Sequence, residues 1–221
     1  MAQLIQIPLR NQVRDRIAEQ LWSGVYSFGD DLNEARLAEE LGVSRTPLRE
    51  GLVMLVSEGL IEARPNRGFH VPSVDPKAVA ELYQILGTLE SLAVETSTGD
   101  LQRLAKDLDR INSRLKNAKL SSPQRNGIDA DWHTRLIANC PNDILRQEIS
   151  VLRARSRCID GALFRGLANV DGSSEEHRTI AQSIGAGELK KAARLVHKHW
   201  RDGISVVTTW IEETTRKSAA R

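Results

Sequence analysis

Asp129 and His133 stand four apart in the stretch NGIDADWHTRLIANC, and His177 and His199 follow well downstream. Residues four apart share one face of a helix, and this face also carries Leu136, Ile137 and Cys140. His177 is followed by Ile180, Ala181 and Ile184 at helical spacing. His199 is preceded by Ala192, Leu195 and Val196 at the same offsets and followed by Val206. All three imidazoles are therefore expected on apolar faces. His197 aligns instead with Lys190, Arg194 and Arg201, a solvated stripe, and His70 is expected as a surface or phosphate-contacting residue. Burying one carboxylate and three imidazoles without partners is costly. One divalent cation per chain, bound by Asp129, His133, His177 and His199, would satisfy all four. Three nitrogens and one oxygen suit zinc first, then nickel, manganese or iron, with positions left for water or a ligand. On periodicity alone a second reading stays open, in which each histidine is an ordinary hydrogen-bonded core residue.

The elements that must position these residues belong to a chain of 221 residues, 40% hydrophobic and 27% charged, the composition of a folded globular protein. No apolar run approaches the roughly 20 residues that span a bilayer, and MAQLIQIPLR lacks the features of a signal peptide. Cys140 and Cys158 read as two small buried thiols in a reducing compartment. A cytoplasmic protein without a membrane partner is the expectation.

Two parts are expected, 1–74 and 77–216. The first opens with a helix from Pro8 to Ser23, carrying Leu9, Val13, Ile17 and Leu21 and stopped by Gly24. A second helix follows Asn33 and ends at Gly42; a third begins at Thr46-Pro47, read as an N-cap and first-turn proline, and runs to Gly59. Residues 61–64 and 68–71 form a hairpin in which Gly68 supplies a positive φ. Three short helices followed by a hairpin is the order of a winged helix-turn-helix. VPSVDP (71–76) is a proline-stiffened linker.

The remainder reads as an all-helical bundle of six segments: 77–97, 100–118, 124–139, 142–165, 174–185 and 188–216. Ser173 and Glu176 fit a capping box at the fifth, and the tail RKSAAR is expected to fray. The fold class is thus mainly α.

Residues 1–74 hold 8 arginines, no lysine and 10 acidic residues, so bulk charge gives no support for nucleic-acid binding. Any such binding must rest on where a few arginines stand. Gly42 makes the turn between two helices, and Ser44, Arg45 and Thr46 open the next, where donors can meet phosphates. Arg45 and Arg49 share one edge, and arginine matches the O6/N7 edge of guanine in the major groove. RPNRG puts Arg64 and Arg67 at a hairpin tip.

The segment LNEARLAEELGVSRTPLREGLVMLVSEGLIEARPNRGFHV resembles the DNA-binding domain of the GntR family of bacterial transcriptional regulators over residues 8–73. The resemblance implies base contacts from Arg45 and Arg49, phosphate contacts from Ser44 and Thr46, and a wing tip at Arg67 and Gly68 entering the minor groove. Many relatives carry arginine where Ala35 stands here, with Arg36 beside it. The second part looks like the FCD domain of the FadR subfamily, and its six-helix count fits the VanR-like group. That resemblance implies a metal held by an Asp-x-x-x-His pair and two later histidines, which fall on Asp129, His133, His177 and His199. Relatives often carry arginine in the first helix of this domain where Leu86 stands, so Arg153 or Arg157 is the candidate contact for an acidic effector.

The leading expectation is a homodimeric regulator, not an enzyme. It binds operator DNA and responds to a small organic acid bound beside the metal. A metalloenzyme using the same four ligands, and a regulator whose metal is purely structural, are the alternatives.

Overall fold

The computed structural model describes residues 7–115, 117, 119–166 and 171–219. The features expected at MAQLIQ, within 167–170 and at the last two residues lie outside them. The chain divides into two compact units, one ending at Ser73 and the other beginning at Val74. Each is described by itself.

In the first unit α1 (Leu9–Ser23) buries Val13, Ile17, Ala18 and Leu21 and is closed by Gly24 in the left-handed region. A two-residue strand, β1 (Asp31–Leu32), leads into α2 (Glu34–Leu41). Asn33 caps α2 by accepting from the Arg36 N–H, and Gly42 at φ 63° ends it. Then α3 (Arg45–Ser57) follows, with Ser44 as its N-cap. The expected N-cap at Thr46 is thus corrected. Once Gly42 has turned the chain, Ser44 is extended (φ −72°, ψ 166°), and helical geometry starts at the next residue. Pro47 fits in this first turn because the N–H that it lacks has no intrahelical acceptor there.

The hairpin pairs β2 (Glu62–Arg64) with β3 (Gly68–His70), Ala63 opposite Phe69. Asn66 (φ 61°) and Gly68 (φ 75°) supply the positive φ values that the reversal needs. The pattern did not indicate β1, which adds to the other edge of β3 with Leu32 opposite Phe69. Two residues are too few for a period to register.

The second unit holds α4 (Pro76–Glu95), α5 (Leu101–Arg114), α6 (Ser122–Leu136), α7 (Asp143–Gly166), α8 (Asp171–Gly185) and α9 (Leu189–Ala219). Asp75 and Asp100 cap α4 and α5, and Ser121 with Gln124 forms a reciprocal capping box on α6. Helix α4 lies along α9, where Gly87 lets the Trp200 side chain approach closely. Helices α5, α6, α7 and α8 close around Leu104, Leu108, Trp132, Leu136 and Ile149. Among the described residues, no helix is long and apolar enough to cross a membrane.

Close approach also fixes α1 on α3. A Cβ added at Gly51 would sit 2.7 Å from Val13 Cγ1 and 3.1 Å from the Arg10 carbonyl oxygen. Val13 is buried and β-branched, so it cannot rotate aside. Gly51→Ala gains about 1 kcal/mol of helix propensity against an overpacking cost of about 1–3 kcal/mol. Gly127 lies inside α6, and a Cβ there would meet nothing within 4 Å. The expected outcome is opposite signs: urea unfolding shows Gly51→Ala destabilised and Gly127→Ala stabilised by about 0.5–1 kcal/mol.

Candidate metal centre and nucleic-acid interface

Helix α6 presents Asp129 and His133 one turn apart, α8 presents His177 and α9 presents His199. The structure brings the three imidazoles together, with one nitrogen from each lying within 4.8 Å of the other two. Their orientation is set from behind. Glu90 on α4, fully buried, pairs with His133 Nδ1 at 2.8 Å, and Glu176 on α8 pairs with His199 Nδ1 at 2.6 Å. A carboxylate on Nδ1 fixes that nitrogen as the protonated one and leaves Nε2 as the electron-pair donor.

His177 is held by packing instead. Its ring stacks on Trp132 with centroids 3.6 Å apart and planes 5° from parallel. Burial, together with the positive charge that His199, His133 and Arg153 can present, pushes its pKa well below the usual 6.5. The ring is therefore neutral, the form in which imidazole binds metal. Both its nitrogens are buried, and among the described residues neither has a hydrogen-bond partner. An orphaned imidazole beside two carboxylate-oriented ones is what a cation would complete.

Asp129 is less tightly gathered. Its Oδ1 stands 3.9 Å from His177 Nε2 and its Oδ2 3.9 Å from His133 Nε2. Oδ2 also accepts from Arg153 Nη2 at 3.2 Å. It lies at the edge of the three-histidine cluster, shared between the imidazoles and a guanidinium.

The cluster forms part of the wall of a cavity of about 240 Å³. His133, His199 and Asp129 line one part, with Arg153, Asp160, Tyr83 and Trp200 also in the wall; Leu163, Phe164, Val206 and Val207 add apolar surface. Arg153 on α7 is the guanidinium here, its carbon 5.1 Å over the Trp200 ring. Arg157 does not line the cavity: its backbone oxygen accepts from Asn126, and its side chain is half-buried elsewhere. Leu86, at the place where relatives carry arginine, is fully buried in the core and also absent from the lining. Burial pushes Glu90 up, but His133, Arg153 and Trp200 outweigh it and hold this carboxyl below its usual range.

His197 is exposed, as its phase requires. His70 is not at the surface: it is 1% exposed, with Nε2 3.0 Å from the Glu62 carboxylate, because β1 and β2 flank its strand. The capping box expected at Ser173 and Glu176 is also corrected, since α8 starts earlier, at Asp171, and Glu176 serves His199. Glu90, Asp160, Tyr83 and Trp200 did not emerge from the sequence. Glu90 had a signal, a lone carboxylate in phase with Leu86, Ala93 and Val94. Tyr83 and Asp160 meet across 77 residues and had none.

In the first unit Ser44, Arg45, Thr46 and Arg49 are all exposed along the start of α3. Glu34 on α2 accepts from Arg49 Nε at 2.6 Å and Nη2 at 3.1 Å, which orients that guanidinium. Arg36 is paired with Glu40 at 2.6 Å. Arg64 and Arg67 are exposed on the hairpin, and Gly68 opens β3.

Residues 9–71 match the model of bacterial regulatory proteins of the gntR family, and residues 81–202 match the FCD domain, more than half of the chain. The chain belongs to the GntR family. This GntR protein is 33% identical over 115 residues to the transcriptional regulator YdhC of Bacillus subtilis, covering 50% of the chain and 51% of YdhC. It is 34% identical over 121 residues to McbR of Escherichia coli, covering 55% and 53%. The chain thus spans about half the length of these curated relatives. The solved McbR/YncC structure superposes with a TM-score of 0.73 at 24% identity, covering 91% of this chain and 98% of that one. A GntR structure from Rhodococcus sp. RHA1 gives 0.78 at 20%, covering 90% and 96%. At these identities the structures establish the shared fold. The family model and the names of these relatives describe transcriptional regulators, not enzymes.

Proposed function

We propose that this GntR protein is a homodimeric, cytoplasmic transcriptional repressor. Its operator affinity is controlled by a small carboxylic acid bound beside a divalent metal in the helical unit. The observation that carries the reading is the combination, in one chain, of two features. One is an exposed arginine edge on α3 with a hairpin wing; the other is a cavity whose wall includes His133 and His199 of the three-histidine cluster. Ser44 and Thr46 hold phosphates, Arg45 and Arg49 read bases, and Arg67 with Gly68 brings the wing to the minor groove. Asp129, His133, His177 and His199 hold the metal, zinc first among nickel, manganese and iron. Arg153, which lines the cavity, faces the effector. Helix α4 supports the dimer: Leu82, Ile85, Leu89 and Leu92 follow a heptad-like 3-4-3 spacing, with Ile85 49% and Leu92 47% exposed.

Elemental analysis of untagged protein is expected to find about one equivalent of metal per chain. Alanine at His133, His177 or His199 depletes it and lowers the melting temperature, because a ligand of the native state stabilises that state. His197→Ala changes neither. Absence of metal, or equal loss in all four variants, rejects the ligand set.

The wild type is expected to sediment as a dimer and to protect a short palindromic site, one half-site per recognition helix. Arg45→Ala or Arg49→Ala each costs about 1–3 kcal/mol and relaxes preference at one base position. Affinity for that site no better than for random DNA at equal salt overturns the DNA reading.

Effector binding is expected to weaken operator binding by about 1–3 kcal/mol, or 5–150-fold, and the operator must weaken effector binding by the same factor. Titration of a bound carboxylic acid with and without operator measures this. Identical affinities reduce the metal site to a structural element.

A further inference from the structure

Asp160 projects from α7 into the cavity wall, and neither the metal cluster nor the DNA-binding face uses it. It is buried, and the Tyr83 hydroxyl donates to its Oδ1. Oδ2 has no hydrogen-bond partner among the described residues; its nearest cation is Arg153, with Nη1 at 3.5 Å. Arg153 is heavily engaged. Its Nη2 donates to Asp129 at 3.2 Å, its Nη1 donates to Ser156 at 3.3 Å, and its Nε stands 4.0 Å from Glu90 Oε1. One guanidinium thus lies among three carboxylates, of which Asp129 and Asp160 line the cavity together with Glu176 and Asp202.

This charge arrangement is poorly suited to a plain carboxylic acid. Arg153 offers such a ligand little uncompensated positive charge, so its carboxylate must go to the metal side. The atoms beyond the carboxylate then meet Asp160 Oδ2, a buried acceptor without a hydrogen-bond donor among the described residues. Leaving a buried acceptor unpaired is costly, and an N–H or O–H from the ligand removes that cost. Asp129 and Asp160 are bridged by the same guanidinium, Nη2 to one at 3.2 Å and Nη1 to the other at 3.5 Å, so both carboxylates lie within reach of one side chain. The donor therefore sits close to the ligand's carboxylate.

We propose that Asp160 is a ligand-binding residue that selects small carboxylic acids carrying a hydroxyl or ammonium group on the carbon beside the carboxylate. Tyr83 positions it by occupying Oδ1 and leaving Oδ2 toward the cavity. The proposal rests on the small-acid reading of this cavity given above.

Matched acids test it on the full-length, zinc-loaded protein by titration calorimetry: propionate, lactate and alanine, then succinate, malate and aspartate. Within at least one series the hydroxy or amino acid is expected to bind about tenfold or more tightly than its unsubstituted parent, the size of a hydrogen bond to a charged group. Asp160→Asn keeps the shape and an acceptor for Tyr83 but removes the charge. It should reduce that ratio severalfold while zinc content stays at the wild-type value, with the ammonium ligands losing most. Parent acids binding wild type as tightly as their substituted partners overturns the role of Asp160 and leaves the small-acid reading standing. An undiminished ratio in a folded Asp160→Asn variant overturns it as well. If no acid of either series binds, the small-acid reading falls and takes the proposal with it. Should Asp160→Asn fail to fold, Asp160→Glu and Tyr83→Phe take its place, because zinc can itself chelate a hydroxy or amino acid and the wild-type ratio then does not report on Asp160; an undiminished ratio in either folded variant overturns the role.

Discussion

The helical unit is organised around the burial of charge. Arg153 is buried with Asp160 and Asp129 within 3.5 Å and Glu90 at 4.0 Å, and it covers the Trp200 ring. These partners come from α4, α6, α7 and α9. Taking ions out of water costs several kcal/mol each, and attraction in a low-dielectric interior offsets this only when geometry is good and the remaining polar atoms are satisfied. The guanidinium thus constrains four helices to one arrangement. Burial, with Asp129 nearby, holds the Asp160 carboxyl above its usual range although Arg153 draws it down.

The histidine cluster depends on that arrangement. Glu90 can hold His133 and also accept from Trp200 Nε1 at 2.7 Å because α4 and α9 approach closely at Gly87. Glu176 reaches His199 because α8 packs on α9. With two imidazoles oriented by carboxylates and a third clamped on Trp132, the donor atoms are organised before any ligand arrives. Preorganisation of this kind lowers the cost of binding.

The first unit works on a different principle. It carries no excess positive charge, so its recognition surface rests on placing a few arginines on rigid elements. Arg14 on α1 is bonded through Nε to both carboxylate oxygens of Glu58, at 2.9 and 3.0 Å, which ties α1 to the end of α3. Glu34 holds Arg49, and the three-stranded sheet anchors the hairpin that bears Arg64 and Arg67. Orientation replaces bulk charge.

The sequence by itself determined what depends on neighbours along the chain. The six helices of the second unit, though not all their ends, the facing of His133 and His177 into apolar surroundings, the exposure of His197 and the turn at Gly68 all follow from local phase and local φ. Phase alone put each of the three imidazoles on its own helix's apolar side; that they meet is a result of packing. Asp129 also came from phase, but only the packed structure puts it in the grip of Arg153. Tertiary structure decided what depends on partners far apart in sequence. It pairs Tyr83 with Asp160 and Glu90 with His133, chooses Arg153 over Arg157 for the cavity, adds β1 to the sheet and buries His70. Periodicity gives the side of a helix on which a residue lies. Which residue it meets is fixed only when helices from distant parts of the chain pack and must satisfy each other's buried polar atoms.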